Sequence, residues 1–288
     1  MPPERRDIER SGTLGTGELL LAARELGVDA ILLGVGGSAT SDLGLGALSA
    51  LGLRFECDRG QQLQPPLPAC WPRLARVVPH AIELPPLRIA CDVDNPLLGS
   101  RGAASVYGPQ KGLRREAVAA FDAAAGRVAE LLCAAVGSGT GVLTAPGSGA
   151  AGGIAFGLLA AAGAQLVPGS ALVDAWLRLE QRVAAADWVL TGEGRFDASS
   201  WAGKGPGALV QTARRLGRRW AVFAGTVARG VVQRGSSGSS ADGTLIAITA
   251  RGEPLPAALA RTPENLERGV RRWLRGLGGA PPARGARG

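Results

Sequence analysis

Two carboxylates and an amide sit together in the segment CDVDN, as Asp92, Asp94 and Asn95. On an extended strand alternate side chains share one face, so Asp92 and Asp94 point the same way. Such a pair suits a Mg2+ ion, or takes the proton of a substrate hydroxyl. An Asx turn at a strand end accounts for the same residues, and Pro96 stops any continuation as an EF-hand loop.

Two further segments offer backbone donors. GVGGSATSD, with Gly36, Gly37, Ser38 and Asp42, follows an apolar run and leads into a helical pattern. Glycines there let N–H groups approach an anion, and the helix N-terminus adds its positive dipole. The segment also satisfies G-x-G-x-x-A, with Glu56 twenty residues beyond Gly36, which keeps a dinucleotide fold in play. PGSGAAGG, which contains Gly149, holds a second such pattern. With 44 glycines in 288 residues, three fixed glycines arise by chance about once in such a chain, so tight turns explain both segments equally well.

The only lysines, Lys111 in YGPQKG and Lys204 in GKGPG, both fall in glycine-rich segments of a chain that otherwise uses arginine. TGEGRFD adds Glu193, Arg195 and Asp197 at the end of an apolar strand, where a parallel sheet binds its ligands. GKG is not a Walker A lysine, because Gly205 stands where Ser or Thr is needed.

Composition narrows the chemistry. His80 is the one histidine and lies in a proline-rich connection, so a general base falls to a carboxylate or a lysine. Four cysteines without a C-x-x-C read as reduced, buried thiols rather than zinc ligands. The formal charge of +8 comes from scattered arginines, not from a basic face with aromatics, which argues against nucleic acid. Residues 131–173 carry no charge but are broken by glycines and two prolines, which argues against a spanning helix. MPPERRDIER has no apolar signal-peptide core, so the cytoplasm is the expected location.

The elements that must carry these residues read as follows. Helical spacing covers Glu18–Leu26, SDLGLGALSALG, Arg114–Val136 and Ile154–Ala164, and short strands are expected at VDAILLGVGG, LRFECD and LRIACDVDN. Residues 61–86 read as a long connection with one helical turn near Trp71–Val77. After Asp187, DWVLTG, WAVFAGTV and GTLIAIT alternate with the helices GALVQTARRLG and PENLERGVRRWLRGL, a βα series and hence a parallel sheet. GSSGSSADG reads as a flexible loop before the last strand. A domain boundary is expected near residue 186.

In order and spacing, GVGGSATSD, ACDVDNPLLG, GAASVYGPQKG, PGSGAAGG and TGEGRFD…GKGP resemble the type I glycerate kinases, through nearly the whole chain. The resemblance implies an α/β fold: a Rossmann-like (flavodoxin-like) parallel-sheet domain interrupted by a second, inserted α/β domain, with the active site in the cleft between them. Residues 1–186 would be the inserted domain and 187–288 the C-terminal half of the Rossmann-like one. The implied activity is phosphoryl transfer from ATP, with Mg2+, to a hydroxyl of D-glycerate, in a protein for which a homodimer is compatible and no nucleic acid or membrane partner is expected.

Phosphoryl transfer needs positioning and charge stabilisation more than a nucleophile, so the lack of histidine is no obstacle. Asp92 and Asp94 would hold Mg2+, or one of them would take the hydroxyl proton. Glu193 and Asp197 join Asp92, Asp94 and Lys111 as catalytic candidates. Lys111 and Lys204 would neutralise phosphate oxygens and Arg195 would grip the glycerate carboxylate. Gly36, Gly37, Ser38, Asp42, Asn95 and Gly149 complete the expected binding set.

The family begins with a strand and two loops that have no counterpart here. The chain is therefore expected to have an incomplete Rossmann-like domain with one face of its sheet bare, and to be weakly stable and nearly inactive. Two other functions stay open: a non-catalytic remnant that binds nucleotide or hydroxy acid, and a dinucleotide-dependent oxidoreductase.

Overall fold

The structure is a computed structural model that describes residues 6–198, 200–202, 205–231 and 243–277. It divides into two compact units, 1–172 and 173–288.

In the first unit, α1 (Leu14–Glu25) buries Leu20 and Gly17 against α2 (Leu45–Ala50), and a β-carbon on Gly17 would overlap Ala47. Between them runs β1 (Ile31–Gly34). A hairpin of β2 (Arg54–Cys57) and β3 (Leu74–Val78) follows, paired antiparallel. The stretch 61–86 is thus more than a connection: a 3-10 turn over Pro68–Arg73 leads into β3, whose Leu74 and Val77 are buried. Next come β4 (Leu87–Ala90), α3 (Ala103–Tyr107) and α4 (Val118–Val136). The last buries Val128, Ala129, Leu132 and Cys133 at helical spacing and stops at Gly137, whose φ of 69° suits a left-handed cap.

Helix α5 (Ala150–Ala161) begins earlier than its apolar run suggests, and Ala151, Gly152 and Gly153 lie at positive φ inside it. Strand β5 (Gln165–Val167), which the sequence pattern did not reveal, completes a parallel sheet of order β1-β4-β5. The core gathers Leu45, Leu48, Phe55, Trp71, Ile89 and Phe156. All three parallel strands end on polar or glycine-rich loops: Val35–Asp42, Cys91–Asn95, and Pro168 with the start of α6 (Gly169–Leu177).

In the second unit, α7 (Leu179–Ala185) places Leu179 and Val183 on the core, so the unit begins upstream of its first strand rather than at it. The strands β6 (Trp188–Phe196), β7 (Arg219–Val227) and β8 (Gly243–Ala247) form a parallel sheet in that order. Between β6 and β7 runs α8 (Gly205–Arg215), and α9 (Leu255–Ala260) and α10 (Thr262–Leu277) follow β8. The expected loop GSSGSSADG lies outside the described residues.

The expectation of one bare sheet face is corrected at β7. Successive side chains there point to opposite faces: Trp220 and Val222 pack with Phe196 and Val210, whereas Ala221 and Phe223 pack with Ile246 and Trp273 of α10. Strand β6 is not apolar throughout either, since burial alternates along it and Leu190 is 51% exposed.

Of the cysteines, Cys57 and Cys133 are buried, but Cys70 and Cys91 are only half-buried; all four are free thiols. Among the described residues, no helix is long and apolar enough to cross a membrane.

Candidate functional site

The loop after β1 is clamped at two points. At its far end Asp42, 1% exposed, accepts hydrogen bonds from Thr13 N (2.8 Å), Thr13 Oγ1 (2.8 Å), Gly44 N (3.2 Å) and Gly46 N (3.1 Å). Burial pushes the Asp42 carboxyl up, against those hydrogen bonds, which favour the charged form. Its oxygens are thus engaged in tying the start of α2 to α1, so the expected role in substrate binding gives way to a structural one. Thr13, just ahead of α1, is the partner that the sequence did not reveal.

Near the loop's apex, Lys111 reaches across more than seventy residues of sequence. Its Nζ donates to Ser38 Oγ at 2.9 Å and to the Thr40 carbonyl at 2.7 Å. The residue is 3% exposed, and burial pulls its pKa down to about 8, opposed by the negative charge of Asp42. Beside it, Gly37, Ser38, Gln110 and Arg6 line a cavity of about 200 Å3. Gly37 has φ +70°, and a β-carbon at Gly36 or Gly37 would meet open space, so the backbone there is approachable.

PGSGAAGG does a different job. Gly149 donates its N–H to the Asn95 carbonyl at 3.0 Å, and a β-carbon there would overlap Pro96 O. Gly152 and Gly157 pack equally closely on Thr40 and Leu43. The segment brackets the loops after β1 and β4, and the N–H of Gly149 is not available to a phosphate. Its glycines are there for close packing.

The expected strand LRIACDVDN ends at Ala90, and Asp92, Asp94 and Asn95 follow in the loop. Asp92 is exposed and accepts from Ser170 N (3.1 Å) and Ser170 Oγ (3.3 Å) at the start of α6. Asp94, 72% exposed at its side chain, pairs with Arg101 at 3.0 Å. Asn95 is held at both ends of its amide, donating to the Arg101 carbonyl (2.8 Å) and accepting from Tyr107 Oη (2.6 Å). Ser170 and Arg101 were not legible as site residues, the first because β5 itself was not.

Among the described residues no group of three His, Cys, Asp or Glu side chains comes together. A Mg2+ site there fits only the pattern in which one or two carboxylates share the ion with substrate phosphates. Asp92 Oδ2 and Asp94 Oδ1, which carry no hydrogen bond among the described residues, are the oxygens that fit it.

In the second unit, Glu193 and Arg195 line a cavity of about 960 Å3, together with Thr226, Thr249 and Glu253. Glu193 Oε1 is buried without a hydrogen-bond partner among the described residues. Arg195 pairs with Asp197 at 3.5 Å, and Asp197 N is bonded to Ser200 Oγ at 3.1 Å. Lys204 lies outside the described residues.

A family model described as the glycerate kinase family matches residues 1–277. The chain is 39% identical over 234 residues to a glycerate kinase of Halalkalibacterium halodurans, covering 80% of this chain and 61% of that protein. It is 37% identical over 227 residues to the glycerate 2-kinase of Escherichia coli K12, covering 75% and 57%. A solved structure from Salmonella typhimurium LT2, assigned as glycerate kinase 2, superposes with a TM-score of 0.69 at 34% identity, covering 96% of this chain and 72% of that one. The chain spans about three fifths of the length of the curated relatives it matches.

Proposed function

The chain belongs to the glycerate kinase family, and from that membership we propose that it transfers the γ-phosphoryl group of ATP to a hydroxyl of D-glycerate. The observation that carries this reading is the grouping of unlike chemistry at one end of one sheet. An approachable glycine loop with Ser38 and Lys111 follows β1, and two exposed carboxylates follow β4. Ligands of parallel sheets bind at those strand ends.

In the proposed reaction the acceptor oxygen bonds to the γ-phosphorus as the bridge from γ-phosphorus to oxygen breaks, and ADP leaves. Asp94 or Asp92 takes the hydroxyl proton, which a carboxylate within hydrogen-bond reach can do. Mg2+, when bound, offsets the charge on the phosphate oxygens. Asp92 and Asp94 are the residues that would hold it, or one of them would while the other takes the proton. The Gly36 and Gly37 backbone orients an anionic group, and Lys204 and Arg195 add positive charge for phosphate oxygens. Glu193 and Asp197 of the TGEGRFD segment are the further acidic groups proposed as catalytic. Asn95, fixed by Tyr107, keeps the loop carrying Asp94 in place.

An assay of ADP release coupled to NADH oxidation, with ATP, Mg2+ and D-glycerate, tests the reading. Turnover that needs all three supports it. Binding of nucleotide or glycerate with no turnover would favour a non-catalytic module, and NAD(H) binding with no response to ATP would favour an oxidoreductase.

A further inference from the structure

We propose that the cavity beside Gly37 holds the carboxylate end of the acceptor, and that Lys111 is a positioning residue there, turning the Ser38 hydroxyl proton toward that carboxylate. The inference rests on the kinase reading and goes further by stating which end of the acceptor sits in this cavity.

Hydrogen-bond bookkeeping sets the direction of the Ser38 hydroxyl. A lysine ammonium can only donate, and Lys111 gives one N–H to Ser38 Oγ and one to the Thr40 carbonyl. Ser38 Oγ is therefore an acceptor toward Lys111, and its single proton is left to donate elsewhere. One N–H of Lys111 also remains. These two donors match the two oxygens of a carboxylate, with Arg6 adding positive charge on the same cavity.

The lining supports an anion of small size. Among the described residues it contains two basic ones, Lys111 and Arg6, the latter bonded to the Gln110 carbonyl at 2.7 Å, and no acidic one. The acid nearest in effect is Asp42, whose oxygens are engaged by Thr13, Gly44 and Gly46. A volume of about 200 Å3 is below the ~300–1,000 Å3 typical of drug-sized ligands. The cavity therefore takes a few-atom acid, not a nucleotide. Open space over Gly36 and Gly37 lets such a ligand reach their backbone.

Among the described residues, the charge acting on Lys111 is that of Asp42, and Arg6 lines the same cavity. Because burial brings the ammonium down to about 8, mild alkali removes its charge and weakens the site.

Calorimetric titration of the full chain with D-glycerate, with glyceramide (an amide in place of the carboxylate) and with inorganic phosphate tests this without relying on turnover. Wild type should bind D-glycerate, and Ser38→Ala should weaken that binding at least tenfold, a larger factor than its effect on the weaker glyceramide binding. Ser38→Thr, which keeps a hydroxyl, should restore most of the affinity. Between pH 7 and pH 9 the wild-type affinity for D-glycerate should fall several-fold, and Lys111→Arg should show no such fall.

Equal loss of glycerate and glyceramide in Ser38→Ala, failure of Ser38→Thr to restore binding, or a flat wild-type pH profile overturns the inference. So does loss of phosphate binding with glycerate binding intact. Unchanged glycerate binding in Ser38→Ala overturns the inference and leaves the kinase reading standing. Wild type that binds neither glycerate nor phosphate overturns both.

Discussion

Gly152 lies so close to the Thr40 carbonyl that a β-carbon at position 152 would overlap that oxygen. The contact joins two glycine-rich segments more than a hundred residues apart, and it shapes the backbone that Lys111 also holds at Thr40. Gly152→Ala combines this overlap with a φ of +75° that an alanine resists, so a loss of about 2–4 kcal/mol is expected. Gly163→Ala, at φ +62° with nothing near its β-carbon, should cost only about 1 kcal/mol. Urea midpoints of the two variants check the difference.

Asp42→Asn should act on stability rather than only on turnover. Asparagine presents an NH2 group where the carboxylate meets N–H and O–H donors from Thr13, Gly44 and Gly46. Losing such charge-assisted bonds in a buried place costs about 2–4 kcal/mol. A melting temperature equal to wild type would contradict the structural role.

Lys111 gives stability a definite pH dependence. Its folded pKa is lowered to about 8 from an unfolded 10.5, so between those values the unfolded chain binds the proton and the folded chain does not. Stability contributed at this site is therefore lowest below pH 8 and rises with pH through that window. In Lys111→Arg, where the group stays charged, the rise between pH 8 and pH 10 should disappear from denaturation curves.

Asp94→Asn should leave the fold intact and lower Mg2+-dependent turnover by two or more decades. The Asp94–Arg101 pair is exposed on both sides, and such pairs contribute about 0–1 kcal/mol. Steady-state kinetics beside a melting curve separates the two effects. Near wild-type turnover with unchanged Mg2+ dependence would remove Asp94 from the reaction.

Glu193→Met should keep or raise stability by about 1 kcal/mol while lowering turnover. One Glu193 oxygen is buried with no partner among the described residues in a largely apolar cavity, a placement that disfavours the folded state. A destabilised variant would mean the carboxylate has a structural partner instead of a functional one.

The sequence by itself determined the elements with strong apolar periodicity and the order of the polar segments between them. The long helix ending at Val136, the strand at Ile31 and the βα series after Asp187 follow from patterns that need no distant partner. The same order carried the family resemblance, which the match over residues 1–277 bears out. Strands β3 and β5 escaped because their local pattern does not set them apart, and their pairing with β2 and β4 is what makes them strands.

Only the tertiary structure decided which glycines are open and which are packed. Gly36 and Gly149 sit in look-alike motifs, yet one faces open space and the other lies on the Pro96 carbonyl. It also decided that Asp42 is consumed by Thr13, and that Lys111 points back at Ser38 and Thr40. The reason is the same in each case. A hydrogen bond or a close backbone approach takes its partner from a segment tens of residues away, and local sequence carries no record of which segment folding brings there.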